Sequence, residues 1–289
     1  MFESPRLSLL TLSLAASLLS ACSALPSPAE TRAHQDALLR PSEARVYPVT
    51  RDSLAGLDAA RRPGALSLAR RRAFKLADSV ETAREPELLW RLSRAEADQV
   101  LLLKRAGAPR DQRDQAAANS LAFARRAREL ATAPSPALLG QLAAALGTTI
   151  HLRAMFDRAT AAEETLEAIE AALAGDPGQL TALATLSTLR LRLATLPWIA
   201  KIFASGAPEG SVTDAILHAA RCLKRQPSIA HALLLTRALT AEPQASAAAA
   251  QLERARATLR AALAEPNRAP RDAVLRPDAE AALKALDTP

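Results

Sequence analysis

The sequence predicts an all-α protein in which helical hairpins stack behind a signal peptide and a flexible tether. Three observations support this prediction. The chain of 289 residues is rich in Ala, Leu and Arg, which favour helices, and it holds only nine Gly and 3% aromatic residues. From Ala65 onward, apolar residues recur at steps of three and four. Pro or Gly interrupts this pattern at intervals, as expected between helices.

The first element, residues 1–21, is predicted to be an export signal. An apolar stretch runs from Leu7 to Leu19 and is shorter than the roughly 20 residues that span a bilayer. It ends in a segment that resembles the lipobox of bacterial lipoproteins: Leu19, Ser20, Ala21 and Cys22. This resemblance implies that Cys22 is lipidated and becomes the first residue of the mature chain. The alternative is an ordinary cleaved secretory signal.

The second element, residues 22–64, is predicted to be the lipidated Cys followed by a tether. Five prolines interrupt it, at positions 26, 28, 41, 48 and 63, and its hydrophobic periodicity is weak. Ser23 follows Cys22, where Asp would favour retention in the inner membrane. We therefore expect a lipid-anchored protein of the bacterial cell envelope, on the periplasmic face of the outer membrane.

The third element, residues 65–289, is predicted to be a helical-repeat domain. The pattern places helices at 65–84, 86–105, 112–131, 135–157, 159–174, 177–203, 211–225, 227–241, 244–264 and 277–287. They pair into four hairpins, at 86–131, 135–174, 177–225 and 227–264. Ser211 is well placed as the N-cap of the helix that follows it.

A repeated spacing suggests how these hairpins are related. A small residue lies five positions before a proline three times: Ala131 before Pro136, Ala172 before Pro177, and Cys222 before Pro227. This pattern resembles the end of the second helix in tetratricopeptide repeats, where the proline starts the next helix. Successive prolines lie 41 and 50 residues apart, not 34, so the repeats are longer than the consensus. The prediction is a tetratricopeptide-like α-solenoid of about four hairpins, and a generic helical bundle is the alternative.

Two stretches indicate a family. Residues 88–95, Leu-Leu-Trp-Arg-Leu-Ser-Arg-Ala, resemble the Trp-Arg-Leu-x-Arg-Ala segment of the regulator of microtubule dynamics proteins and their bacterial relatives. Residues 196–229 are similar to that family's segment with a Trp after a long helix, a short Gly/Pro loop and a helix ending in Pro-x-Ile. The resemblance implies an α-solenoid scaffold without catalytic residues. A looser similarity links the chain to periplasmic helical-repeat lipoproteins that accompany solute transporters.

Candidate binding residues are few because aromatic side chains are scarce. The expected binding surface combines aromatic residues with nearby cations: Trp90, Arg91, Arg94, Trp198, Lys201 and Phe203. The alternative is that the aromatic residues fill gaps between helical layers. Pro197 should break or kink its helix beside Trp198.

The sequence holds no recognisable enzyme motif. It lacks a Gly-rich phosphate loop, a Gly-x-Ser-x-Gly turn and a His-Glu-x-x-His helix. His218 and Cys222, four residues apart, could form a metal site with His231, but Cys222 is more simply explained as a buried small residue. Four glutamates at 163, 164, 167 and 170 are expected to form a solvated face. We therefore predict no enzymatic activity, no cofactor and no metal.

The net charge of +7 limits the partners. It could attract anionic lipid or an acidic partner, or it could reflect an Arg-rich coding bias. Nucleic acid is disfavoured because an exported protein would not meet it. The expected function is a scaffold or adaptor that binds an envelope protein or peptide. The alternative is a small-ligand-binding component of a transporter-associated assembly, and a homo-oligomer is compatible with either.

Overall fold

The computed structural model describes residues 66, 70 and 73 and then residues 85–154, 157–196, 208–241 and 248–288. Every regular element in these ranges is helical, which confirms for them the prediction of an all-α fold. The predicted signal peptide at 1–21 and tether at 22–64 lie outside the described residues. None of the described helices is long and apolar enough to cross a membrane.

The described ranges contain nine α-helices and one short 3-10 turn. The helices are α1 (Pro86–Arg105), α2 (Arg110–Leu130), α3 (Pro136–Thr149), α4 (Arg158–Gly175), α5 (Leu180–Ala194), α6 (Val212–Arg225), α7 (Ile229–Ala241), α8 (Ala248–Ala264) and α9 (Asp272–Asp287). The 3-10 turn Ile150–Leu152 follows α3. Residues 66, 70 and 73, which precede α1, are also helical.

The helices pack as successive pairs. Within each pair the contact is extensive: α1 with α2, α3 with α4, α5 with α6, and α7 with α8. Each pair also contacts the next, because α3 packs on α2 and α5, and α7 packs on α6 and α5. The last helix, α9, packs on α7 and α8 and also touches α1. This arrangement is consistent with an α-solenoid of about four hairpins.

Alanine and leucine build the core, as the composition predicts. One cluster joins α2, α3, α4 and α5 and contains Ala143, Ala172 and Ile169, each with no exposed surface. Another joins α7, α8 and α9 around Ala232 and Leu259. Alanine lets helix axes approach closely, and each buried Leu or Ile contributes about 1.5–3 kcal/mol to folding. The aromatic-poor sequence thus reaches a dense core with small side chains.

The cap of α6 and the bounds of α1 match their predictions. The observed α1 has the predicted bounds, 86–105. Ser211 caps α6, since its hydroxyl accepts a hydrogen bond from the Asp214 N–H at 3.0 Å. Cys222 lies fully buried on the inner face of α6, as expected for a small core residue.

Two predicted helices were too long. The helix predicted at 135–157 ends at Thr149, where β-branched residues follow Gly147. Thr148 and Thr149 donate their hydroxyls to the carbonyls of the preceding turn, at 2.7 Å and 2.9 Å, as threonines inside α4 and α5 also do, so these bonds alone do not end the helix. The helix predicted at 177–203 starts at Leu180 and ends at Ala194, three residues before Pro197.

The prediction that Pro136, Pro177 and Pro227 each start a helix was correct for only one of them. Pro136 does start α3, but Pro177 and Pro227 precede the helices that follow them by two residues or more. After Pro177, the Gly178 N–H bonds the Asp176 carboxylate at 2.9 Å, forming a turn, and Gln179 then caps α5. The helix predicted at 277–287 starts at Asp272, so Pro277 lies inside α9 and not at its first position.

Candidate functional site

The predicted binding surface is described only in part. Trp90, Arg91 and Arg94 lie in the first half of α1. Trp198, Lys201 and Phe203 lie outside the described residues, as do Cys22 and the rest of the lipobox, Leu19, Ser20 and Ala21. The structure therefore locates one of the two segments expected to form a binding surface.

The indole of Trp90 is enclosed by its neighbours. Only 7% of Trp90 is exposed, and its Nε1–H donates to Glu87 Oε2 at 2.8 Å. The guanidinium carbons of Arg91 and Arg94 lie 4.3 Å and 4.9 Å from the ring centroid, a cation–π arrangement. Trp90 thus lies on the buried side of α1, and the two arginines cover its ring.

Glu87 organises this end of α1. Its Oε2 also accepts from Arg91 Nη1 at 2.8 Å, and its Oε1 accepts from the Ser135 hydroxyl at 3.2 Å. Partial burial by itself raises the pKa of Glu87, but hydrogen bonds from Trp90 and Arg91 outweigh it, so that the pKa is lowered. Because Ser135 caps α3 by accepting from the Leu138 N–H at 3.3 Å, this network joins the starts of α1 and α3.

A polar triad lies inside the first three helices. Gln141 of α3 donates to the Ser93 hydroxyl at 3.0 Å. Ser93 and Ser120 of α2 lie 3.1 Å apart at their hydroxyls, and Ser120 also donates to the Ser93 carbonyl at 2.9 Å. All three side chains are buried, and each hydroxyl proton has an acceptor. The triad fixes the register of three helices and offers no open reactive group.

Two buried carboxylates of α1 pair with cations from distant segments. Glu96, 1% exposed, accepts from Arg70 Nε at 2.6 Å and from the Asn119 amide at 3.4 Å. Asp98 accepts from Arg271 Nε at 2.7 Å, and its side chain is 4% exposed. Sequence reasoning missed both roles, although Glu96 follows Leu89 and Leu92 at helical spacing and so had a detectable signal. The partners of Glu96 and Asp98 are too far away in sequence to be inferred.

The start of α9 is tied to two other helices. Asp272, 1% exposed, accepts from the Ile229 N–H of α7 at 2.9 Å and from the Arg268 and Ala269 N–H groups at 2.9 Å and 2.8 Å. Besides the Arg271–Asp98 bridge, Asp278 pairs with Arg105 at 3.3 Å. The last described helix therefore meets α1, 173 residues away in sequence.

The contact between α9 and α1 uses the same side of α1 as the predicted binding surface. Arg91, Asp98 and Arg105 are spaced by seven residues. Arg94 lies three residues after Arg91 and four before Asp98, so all four share one side of the helix. The face expected to bind a partner is thus bordered by an intramolecular contact with α9.

The residues considered for a metal site have other contacts. The Cys222 thiol is buried against the Leu180 carbonyl, with 3.8 Å between Sγ and O, and burial raises its pKa to about 12. His231 Nδ1 lies 2.8 Å from the Gln226 carbonyl. Burial lowers the pKa of both His218 and His231. Within the described ranges, no three His, Cys, Asp or Glu residues come close enough to hold a metal ion.

The predicted acidic face lies on α4. The glutamates at 163, 164, 167 and 170 are all exposed, and Glu164 pairs with Arg125 of α2 at 2.9 Å. The four side chains therefore lie on a solvated surface of α4, as predicted.

A small basic groove opens at the other end of α1. Its volume is about 190 Å³, and it lies between the end of α1, the start of α2, the end of α3 and the 3-10 turn that follows. The residues that line it are Val100, Lys104, Arg110, Arg113, Asp114, Ala117, Thr148 and His151. Sequence reasoning did not single out any of them, because they come from separate helices.

Comparison with known proteins identifies one family. The family model described as regulator of microtubule dynamics protein 1-3 matches residues 64–287, which confirms the resemblance predicted from the two sequence stretches. The match covers all nine described helices. No curated protein matches this chain.

Proposed function

The chain belongs to the regulator of microtubule dynamics protein 1-3 family, and on that premise we propose that it is a membrane-anchored lipoprotein that acts as a scaffold or adaptor. It binds a protein or peptide partner in the bacterial cell envelope. The effect on microtubules that the family is named for is not part of this proposal.

The observation that supports this proposal most directly is the stacking of α1–α8 as four helical pairs. Such stacks present a continuous series of helix surfaces to a partner, and they use their polar residues for packing and recognition. Three buried carboxylates, Glu96, Asp98 and Asp272, are all engaged by cations or backbone N–H groups. Their role is to hold the helices together, which is what a binding scaffold requires of its buried polar residues.

Affinity capture tests the proposal. A full-length chain with a C-terminal tag would be crosslinked in intact cells and purified from the membrane fraction. We expect one envelope protein to be enriched specifically, and its purified form to bind the purified chain directly. Recovery of abundant background proteins alone, or a recovered protein that does not bind when purified, would contradict the proposal.

Anchoring requires a separate test. Cells expressing the wild type or a Cys22→Ala variant would be labelled metabolically with an alkyne analogue of palmitate. We expect labelling of the wild type and none of the variant, with the variant released from the membrane fraction because stable attachment needs more than one acyl chain. Equal labelling of both proteins would remove the anchor from the proposal.

The contact between α9 and α1 favours the second candidate function. A small-ligand-binding component of a transporter-associated assembly needs a closed cavity, and the Arg271–Asp98 bridge brings the last described helix to α1. Thermal shift against a panel of metabolites separates the two functions, since a ligand that binds only the folded state raises the melting temperature. A saturable shift with one metabolite class would favour this candidate over the scaffold.

A further inference from the structure

The basic groove between α1, α2 and α3 has an excess of positive charge. Lys104, Arg110 and Arg113 are permanent cations, and Asp114 is the one carboxylate in the lining. Its Oδ2 accepts from Arg110 Nε at 3.2 Å, and its Oδ1 lies 3.1 Å from His151 Nε2. Asp114 is therefore committed to two of its neighbours, and no carboxylate in the described part of the chain forms an ion pair with Lys104 or Arg113.

Arg113 carries a donor that lacks an acceptor. Its Nε is buried, and nothing in the described part of the chain accepts a hydrogen bond from it. A buried donor without a partner costs about 1–3 kcal/mol, so a rotation of the side chain that presents this donor to an incoming acceptor would recover that energy. Arg113 also lies in the first turn of α2, where the helix dipole favours negative charge.

The size of the groove limits what can enter. A volume of about 190 Å³ is smaller than the roughly 300–1,000 Å³ of sites that enclose a whole small molecule. It accommodates one anionic group whose parent molecule remains outside. A carboxylate matches the planar donor edge of an arginine and would also meet the ammonium group of Lys104.

We propose that this groove receives a carboxylate side chain from an acidic peptide segment of the partner. The inference deepens the proposed function, on which it rests, by naming the chemistry of the partner. Val100, Ala117 and Thr148 form the uncharged part of the lining. The segment is read by Lys104 and Arg113.

Peptide binding tests the inference with the full-length chain in detergent micelles. The probe is a fluorescein-labelled peptide rich in Asp and Glu, and its counterpart with Asn and Gln is the uncharged control. We expect fluorescence anisotropy to detect binding of the acidic peptide only. The double variant Lys104→Met with Arg113→Met should weaken that binding about tenfold, which is about 1.4 kcal/mol.

A matched control removes the same charge elsewhere. Arg128 on α2 and Lys284 on α9 are exposed and lie outside the groove lining, so Arg128→Met with Lys284→Met also removes one Arg and one Lys. We expect this control to bind within about twofold of the wild type. The single variant Lys104→Met, which changes an exposed side chain and so leaves folding intact, should show a smaller loss of the same kind.

Three results would overturn the inference: no binding of the acidic peptide, equal binding of the uncharged peptide, or equal losses in the groove variant and the control. The failure of the scaffold function looks different. If a captured partner binds the groove variant as tightly as the wild type, the groove assignment fails and the scaffold stands. If the peptide binds as expected but no partner is captured, the scaffold fails.

Discussion

Replacing Asp272 by alanine should destabilise the fold more than any other single carboxylate change in α9. The side chain is 1% exposed and accepts three backbone hydrogen bonds, at 2.8–2.9 Å. These bonds connect the start of α7 to the segment that leads into α9. Alanine removes both acceptor oxygens and adds no group that could replace them.

The expected cost follows from those three donors. The Ile229 and Ala269 N–H groups bond Asp272 in buried surroundings, and the Arg268 N–H is partly buried. Each buried donor left unpaired costs about 1–3 kcal/mol. Because the segment can move and admit some water, we expect a loss of about 3–5 kcal/mol in the free energy of unfolding. Asp272→Asn retains one acceptor oxygen and should lose about half as much.

Urea unfolding followed by circular dichroism measures this loss, and amide exchange of Ile229 localises it. Asp278→Ala is the matched control on the same helix, because Asp278 is 36% exposed and contacts Arg105 at 3.3 Å, an exposed pair worth about 0–1 kcal/mol. A loss below about 1 kcal/mol for Asp272→Ala, or a loss equal to that of the control, would refute this account of the α7–α9 connection.

Three further predictions concern single residues. Gly210→Ala should lower the melting temperature, because a Cβ there would clash with the Ala194 backbone nitrogen of α5. Gly147→Ala meets only ordinary contacts, the nearest at 3.4 Å, and should be neutral or stabilising. Cys222, with its pKa raised to about 12, should resist Ellman's reagent at neutral pH in a Cys22→Ala variant and react fully in urea; native reactivity would contradict its burial. The pKa of Glu87 is lowered from 4.5, so its carboxylate stabilises the fold above that value and this stability is lost as the pH falls through the lowered pKa; Glu87→Gln should flatten the dependence of the melting temperature on acidic pH.

Local sequence signals were sufficient for most of the helical architecture. The bounds of α1 follow from Pro86 at its first position and from periodic leucines, and the cap of α6 follows from Ser211. Errors arose at helix ends. The helix α3 stops at Thr149 and gives way to a 3-10 turn, a change that hydrophobic periodicity does not contain.

The site was less predictable because its residues come from separate helices. The rarity of aromatic residues marks Trp90 in the sequence, but its cover by Arg91 and Arg94 depends on rotamers that spacing alone does not fix. The basic groove combines the end of α1 with the start of α2 and the 3-10 turn after α3. Only the packing of the first two helical pairs brings these cations together, so no linear motif announces them.

The contact between α9 and α1 changes how the stack should respond to force, heat or a ligand. In an open solenoid each repeat stabilises only its neighbours, so distant repeats unfold almost independently. Here a bridge between Asp98 and Arg271, with Asp98 only 4% exposed, joins helices 173 residues apart. Removing Arg271 takes one cation away from the nearly buried Asp98 carboxylate, so a change at the start of α9 is felt at α1. The bridge also lies on the side of α1 that carries Arg91 and Arg94. A partner that binds this side must therefore either fit beside α9 or displace it, and in the second case its affinity is coupled to the free energy of the contact between α9 and α1.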